Sequence, residues 1–189
     1  MKRVFIAIDI NNNQAVRRLL ESCKSKLSGE RIRWVSPENM HLTLAFLGER
    51  DEIEVQKSGD IMSELAQLSE AFQIAFSGTG VFRDLNHPRV IWIGLKVPDV
   101  LHDMRKLLCT RLKEEGLYSD EKPFRPHITI GRVKYISKRK ALAEILHKTE
   151  ENDLPPQEVN ELILYESILK PGGPEYHALR TEALGSSTV

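Results

Sequence analysis

Two short strings of the chain carry the same chemistry in the same order: His41, Leu42, Thr43, Leu44 and His127, Ile128, Thr129, Ile130. In extended backbone successive side chains point to opposite faces, so each string sets an imidazole and a hydroxyl on one face and two aliphatic groups on the other. The aliphatic face calls for helices over it, and the polar face is left free for something else. Imidazole has an unperturbed pKa of about 6.5, so two rings over one site suit a division of labour near physiological pH, one neutral and one protonated. Phosphodiester cleavage needs those services: a base for the attacking oxygen, an acid for the leaving oxygen, and fixed donors for the phosphoryl charge. Thr43 and Thr129 are the natural phosphate donors. A single His-x-Thr is ordinarily a satisfied sheet histidine beside a β-forming threonine, but two copies in one register of a repeat favour chemistry. Metal ligation is the sharper rival. No carboxylate or cysteine sits at a ligand spacing from either histidine, so no metal and no other cofactor is expected. The other histidines, His87, His102, His147 and His177, read as surface or helix residues.

The elements that position these strings also repeat. The histidines are separated by 127 − 41 = 86, and the apolar runs 5–9 and 91–95 by 91 − 5 = 86. Between them each half holds apolar side chains at helical spacing: Val16, Leu19, Leu20, Cys23 and Leu27, then Val100, Met104, Leu107, Leu108 and Leu112. There the local match, Arg17 onto Arg105, slips to 105 − 17 = 88. Each half therefore reads as strand, helix, histidine strand, second helix (53–68 and 137–148) and further strands (72–77, then 161–169 and 176–179). Gly78, Gly80, Asn86 and Pro88 punctuate the passage between halves. Pro126 confines the start of the second histidine strand to an entry or edge position. The expected fold class is α+β, a bilobal internal duplication with two antiparallel sheets facing a central cleft and helices on the outer faces. One bilobal domain spans 1–189, with repeats at roughly 1–84 and 88–181 and a tail at 182–189.

Composition excludes other classes. Lys+Arg 27 balances Asp+Glu 27 over 189 residues, so any contact with nucleic acid must be local and not a bulk polyanion effect. A hydrophobic fraction of 41% with 29% charged residues fits a folded globular chain. The apolar run 4–8 stops at Asp9, far short of the roughly 20 residues of a membrane span. Neither a membrane association nor a secretory segment is expected. Cys23 and Cys109 are too few and too far apart for a disulfide scaffold and read as buried thiols in a cytoplasmic protein.

At these residues the sequence resembles the 2H phosphoesterase superfamily, and within it the bacterial and archaeal RNA 2′,3′-cyclic phosphodiesterases, also called 2′-5′ RNA ligases. The likeness runs through RVFIAIDI, RWVSPENMHLTLAFLG, PRVIWIGL, FRPHITIGRV and LYESILKPGGPEYHAL. The resemblance implies metal-independent hydrolysis of an RNA 2′,3′-cyclic phosphate to a 2′-phosphomonoester, with joining of RNA ends through a 2′-5′ linkage as the reverse chemistry. It implies RNA ends or nucleotides bearing that cyclic phosphate as partners; the chain itself is expected to be a monomer. It implies His41 as donor to the leaving 3′ oxygen, His127 as acceptor from water, and Thr43 and Thr129 on the phosphate; symmetry leaves the order of the histidines open. Arg132, five residues after the second histidine, would also hold phosphate, and Phe5 and Phe46 would surround the base, unless both rings simply pack the core. Parity opposes this for Arg132 and Phe46: an odd offset puts them on the far face unless the strand bulges, with a break expected at Gly131 and near Gly48. Basic residues cluster beside both strings (Arg31 and Arg33; Arg132, Lys134, Lys138, Arg139 and Lys140) and suit RNA phosphates, and Trp34 suits either a base or the core. Other cyclic phosphates and 2′-5′ linkages are further substrates open to the same chemistry. The alternative from another class is a non-catalytic RNA-end or nucleotide-binding module using the same pocket.

Overall fold

The computed structural model describes residues 1–10, 12–119, 123–149 and 154–185. The last four residues of the expected tail lie outside that set. In chain order the elements are β1 (Lys2–Asp9), α1 (Gln14–Lys26), β2 (Arg31–Trp34), a 3-10 turn (Pro37–Asn39), β3 (His41–Arg50), α2 (Glu52–Gln67), β4 (Phe72–Phe82), β5 (Val90–Lys96), α3 (Asp99–Glu114), β6 (His127–Tyr135), α4 (Arg139–Thr149), β7 (Gln157–Val159), β8 (Glu161–Lys170) and β9 (Gly173–Ala183). Local signals fix the helix starts. The Asn13 side chain accepts from the N–H groups of Ala15 and Val16 to open α1. Asp51 and Glu54 form a reciprocal capping box at the head of α2.

Two antiparallel sheets result, ordered β3-β1-β8-β9 and β2-β6-β5-β4-β7. Helix α2 lies on β1, β8 and β9, α3 packs on α2 and β3, and α4 packs on β4. The aliphatic faces of the histidine strings are sealed, with Leu42, Leu44, Ile128 and Ile130 at most 2% exposed. The α+β fold with two antiparallel sheets is therefore as expected. The strands are nevertheless exchanged between halves. β4 pairs with β5, and β8 pairs with β1, so the strand after each half's second helix completes the other half's sheet. β2 likewise sits beside β6. The sequence divide near 84–88 separates the repeats and not the sheets.

Register refines the repeat. Ile6 opposes Ala45 and Ile91 opposes Gly131, so the first strands correspond by 91 − 6 = 85, one less than their sequence match suggests, while the histidine strands keep 131 − 45 = 86. The reading of Gly78 and Gly80 as punctuation is also corrected, because β4 continues through both to Phe82. Gly78 takes a positive φ of 65° at the register shift between Phe76 and Thr79, a bulge position that suits glycine. Gly80 opposes Trp92, whose ring lies where a Cβ would be, at 2.2 Å. That ring in turn meets Phe82 with centroids 5.6 Å apart.

Overpacking of this kind costs about 1–3 kcal/mol. Gly80→Ala should lower stability by that amount, read as a lower denaturant midpoint with an unchanged slope, and Gly80→Ala/Trp92→Leu should recover most of the loss. An unshifted midpoint in the single variant would contradict the packing described.

Candidate active site

The parity problem posed by Arg132 and Phe46 is solved by one extra residue in each histidine strand. Along β6, Gly131 opposes Ile91 and Thr129 opposes Trp92, leaving Ile130 as the added residue. Along β3, Ala45 opposes Ile6 and Thr43 opposes Ala7, leaving Leu44. The break in β6 adjoins Gly131 as expected. In β3 it comes at Leu44 and Ala45, with a second shift beyond Phe46, and not only at the approach to Gly48. Two consecutive buried residues follow each threonine, and the next residue, Phe46 or Arg132, emerges on the histidine face. The unpaired carbonyls are accommodated: Arg105 Nε donates to Leu44 O at 3.0 Å, and Val35 N–H donates to Ile130 O at 3.0 Å. Gly131 leaves room for its neighbours there: a Cβ would meet the Trp34 ring at 3.0 Å and the Ile32 side chain at 3.1 Å, so both would have to shift. Phe46 and Arg132 are thus repeat-related, 132 − 46 = 86, so one lobe offers a ring where the other offers a guanidinium.

The histidines are held alike. His41 Nδ1 lies 2.8 Å from Asn39 O, and His127 Nδ1 lies 2.6 Å from Arg125 O. A carbonyl only accepts, so each Nδ1 carries the proton and each Nε2 is left with its lone pair. His41, Thr43, His127, Thr129 and Arg132 all line one cleft of about 1020 Å³, at the upper end of small-molecule sites. Arg3, Arg33 and Lys170 also reach it, against Glu38 and Glu175, so the lining favours an anion. No group of three His, Cys, Asp or Glu side chains able to hold a metal occurs among the described residues.

Aromatic packing sets the two rings' surroundings. His41 touches Phe5 (4.9 Å between centroids) and the edge of Tyr176 (5.2 Å), and His127 meets Phe82 edge-on at 4.7 Å. Burial therefore dominates their titration. It pushes His41 down to about 4, with further lowering from Arg132 and His127 opposed by the bond to Asn39 O. His127 is also lowered, by burial and then by Arg132, against the bond to Arg125 O. Both rings are therefore neutral at pH 7, which departs from the one-charged, one-neutral pair that unperturbed values suggest.

Not every residue singled out from sequence reaches the cleft. Phe5 is fully buried and stacks beneath Phe46 (5.4 Å) and against Tyr165 (5.3 Å), so it supports the site from below. Phe46 is 46% exposed on the wall, with the Arg3 guanidinium 6.0 Å from its ring. Trp34 and Arg33 line the cleft; Arg31, Lys134 and the 138–140 run do not, and Lys138 Nζ donates to Ser28 O at 2.7 Å. Tyr176, Phe82 and Arg3 escaped the sequence reading. His177, expected on the surface, is at the rim, 3.8 Å from Glu175. The turn residues Pro171, Gly172 and Gly173 mark that hairpin in the sequence, but the meeting of Tyr176 with Phe5 and His41 across the sheet has no local sequence signal.

The chain is similar to known phosphoesterases in sequence and in fold. The model of the LigT-like phosphoesterase family matches residues 8–92 and 95–176. An RNA 2′,3′-cyclic phosphodiesterase of Archaeoglobus fulgidus is 36% identical over 94% of this chain and 98% of its own length. Its namesake of Thermotoga maritima is 38% identical over 94% and 92%. Among solved structures, a Thermus thermophilus protein superposes with a TM-score of 0.78 at 28% identity, over 98% of this chain and 99% of that one. Escherichia coli LigT in complex with 3′-AMP gives 0.73 at 26% identity, over 97% and 98%.

Two outcomes follow from the bulge and the buried rings. Removing the donor from the Leu44 carbonyl by Arg105→Met should cost about 1–3 kcal/mol in a denaturation midpoint. Because folded His41 binds its proton only near pH 4 whereas an unfolded histidine does so near 6.5, the unfolded chain holds more protons in between. Stability contributed by this ring is intact above about pH 6.5 and is lost as pH falls towards 4. Histidine-resolved NMR titration should place His41 at the low value in the free protein and move it upward when phosphate fills the cleft; a ring titrating near 6.5 in the empty cleft would refute the burial argument.

Proposed function

The chain belongs to the LigT-like phosphoesterase family, and from that membership we propose that it is an enzyme opening the 2′,3′-cyclic phosphate of an RNA or nucleotide end to a 2′-phosphomonoester. The observation carrying this reading is the pair of Nε2 atoms, one from each sheet, turned into a cleft that also holds Thr43, Thr129 and Arg132. Water attacks phosphorus and gives a proton to His127 Nε2. The bond from phosphorus to the 3′ oxygen breaks, and that oxygen takes a proton from His41 Nε2. The two threonine hydroxyls and the Arg132 guanidinium hold the phosphoryl oxygens as charge builds. Entry of the anionic phosphate favours an imidazolium and so charges the acid that burial leaves neutral.

The asymmetry of the cleft supports this order of roles. Phe46 supplies a face for the base on the His41 side, while its counterpart in the other lobe is the cation Arg132. A nucleoside stacked on Phe46 keeps its ribose, and with it the leaving 3′ oxygen, next to His41. In-line attack then comes from the His127 side. With a 5′ hydroxyl in place of water, the same arrangement forms a 2′-5′ linkage. The names of the relatives, RNA 2′,3′-cyclic phosphodiesterase, support the substrate class.

A cyclic-phosphate-ended oligonucleotide should yield a 2′-phosphate, with a bell-shaped pH dependence and full activity in EDTA. His41→Ala and His127→Ala should each lower kcat by about 10²–10⁴-fold. An active His41→Ala, or a 3′-phosphate product, would overturn the assignment. A parent protein that binds 2′-phosphonucleotides without turnover would instead identify a recognition module.

A further inference from the structure

A second cavity of about 200 Å³ opens beside the cleft and is lined by Arg83, Arg89, Lys134, Arg139, His87 and Tyr135 among others. The two cavities share one strand edge. Phe82 and Val90, at the ends of β4 and β5, line the cleft, and Arg83 and Arg89, just beyond those ends, line the second cavity. Arg89 N–H donates to Phe82 O at 3.2 Å, and Val133 N–H donates to Arg89 O at 2.9 Å, which ties this edge to β6 just beyond Arg132. Two residues along a strand span about 7 Å, so Lys134 continues the line of positive charge begun by Arg132.

In a chain with no net charge this concentration of cations is local. None of Arg83, Arg89, Lys134 and Arg139 takes part in an ion pair among the described residues. The nearby carboxylates are engaged. Asp84 accepts from the N–H groups of Asn86 and His87 and lies beside the His87 ring, with Arg83 close enough to help hold its carboxyl below the usual range. Glu30 accepts from Ser137 N–H and Oγ. Tyr135, 60% exposed, adds an aromatic face amid the cations, the pairing by which single strands are bound without sequence preference. At the opposite end of the cleft the β8–β9 tip pairs its Lys170 with Glu175 at 3.9 Å and is tied down by Asn39 Nδ2 donating to Pro174 O at 2.8 Å.

We infer that this second cavity is a backbone subsite for RNA, taking the phosphates on the 5′ side of the terminal cyclic phosphate as the strand leaves the cleft past Phe82 and Val90. The inference rests on the function proposed above and makes the substrate polymeric. Phosphate contacts position a chain without reading its sequence, so the subsite adds affinity and salt dependence but no base preference.

The test compares adenosine 2′,3′-cyclic phosphate with a tetraribonucleotide ending in the same group, in the parent and in Arg89→Ala/Lys134→Ala/Arg139→Ala. The expected result is a parental preference for the tetranucleotide, lost in the variant through a KM raised about 10-fold or more, with mononucleotide kinetics unchanged. The dependence of log kcat/KM on log salt should become shallower by about 0.7 for each phosphate contact removed. Equal effects on both substrates, or no effect on either, would overturn the subsite. Should the parent turn over neither substrate, the proposed function fails. Binding of a 2′-phosphate-ended tetranucleotide then decides the subsite separately, weaker binding by the variant supporting it and equal binding refuting it.

Discussion

One inserted residue per histidine strand governs what this cleft contains. Without it, strict alternation would leave His41 and Thr43 on the open face but send Phe46 into the helix layer, and the same holds for His127, Thr129 and Arg132. A guanidinium under α-helices would be an unpaired buried cation, which is among the costliest groups to bury. The bulge exchanges that cost for two stray carbonyls, each of which receives a single donor, Arg105 Nε in one lobe and the Val35 amide in the other. The donors are unrelated in kind, a side chain from α3 and a main-chain group after β2. The repeat therefore conserves the geometric requirement while meeting its hydrogen-bond consequence by different means.

The same economy governs the rings. A carbonyl two residues before each histidine selects the tautomer and points Nε2 at the cleft, and the two carbonyls, Asn39 O and Arg125 O, stand at the same offset of 125 − 39 = 86. Aromatic walls of Phe5 and Tyr176 on one side and Phe82 on the other then take water from the imidazoles. Dry walls strengthen every electrostatic contact in the site and make an uncompensated charge expensive. The arginines of the cleft, and the ease with which an imidazole charges beside an anion, both suit the phosphate proposed above.

Much of this was legible in residue order because the signals are periodic. His-x-Thr with alternating aliphatics specifies both a strand and which face is polar, and the helical spacing of Val16, Leu20 and Cys23 specifies the layer behind it. The repeat located two lobes. Sequence order could not disclose that β4 and β8 cross between them, because either strand is equally apolar and either sheet equally in need of a neighbour. Gly78 and Gly80 misled for a related reason: a glycine in a strand reads as a break, yet here one carries a bulge and the other makes room for Trp92. Phe5 was ambiguous in principle, since an aromatic side chain on β1 stacks equally well under a neighbouring ring or against a ligand, and only the density around it decides.

Exchange of strands has a mechanical consequence for the acid and base proposed above, which would have to reach one phosphorus atom. Were each half to fold on its own sheet, the two histidines would be joined only through the link near residues 84–88, and their separation would vary with it. Instead β4 is hydrogen-bonded into the sheet that holds His127 while its chain leads back through α2 to β3 and His41. β8 makes the reciprocal connection through α4, pairing with β1 in the sheet of His41. Four strand-to-strand connections, β1 to β2, β2 to β3, β3 to β4 and β7 to β8, thus pass from one sheet to the other, so the sheets could not part by bending a single linker. The separation of the two imidazoles is consequently held by these crossings and by the packing of β3 on β6, as the proposed acid–base pair offered by two different sheets would need.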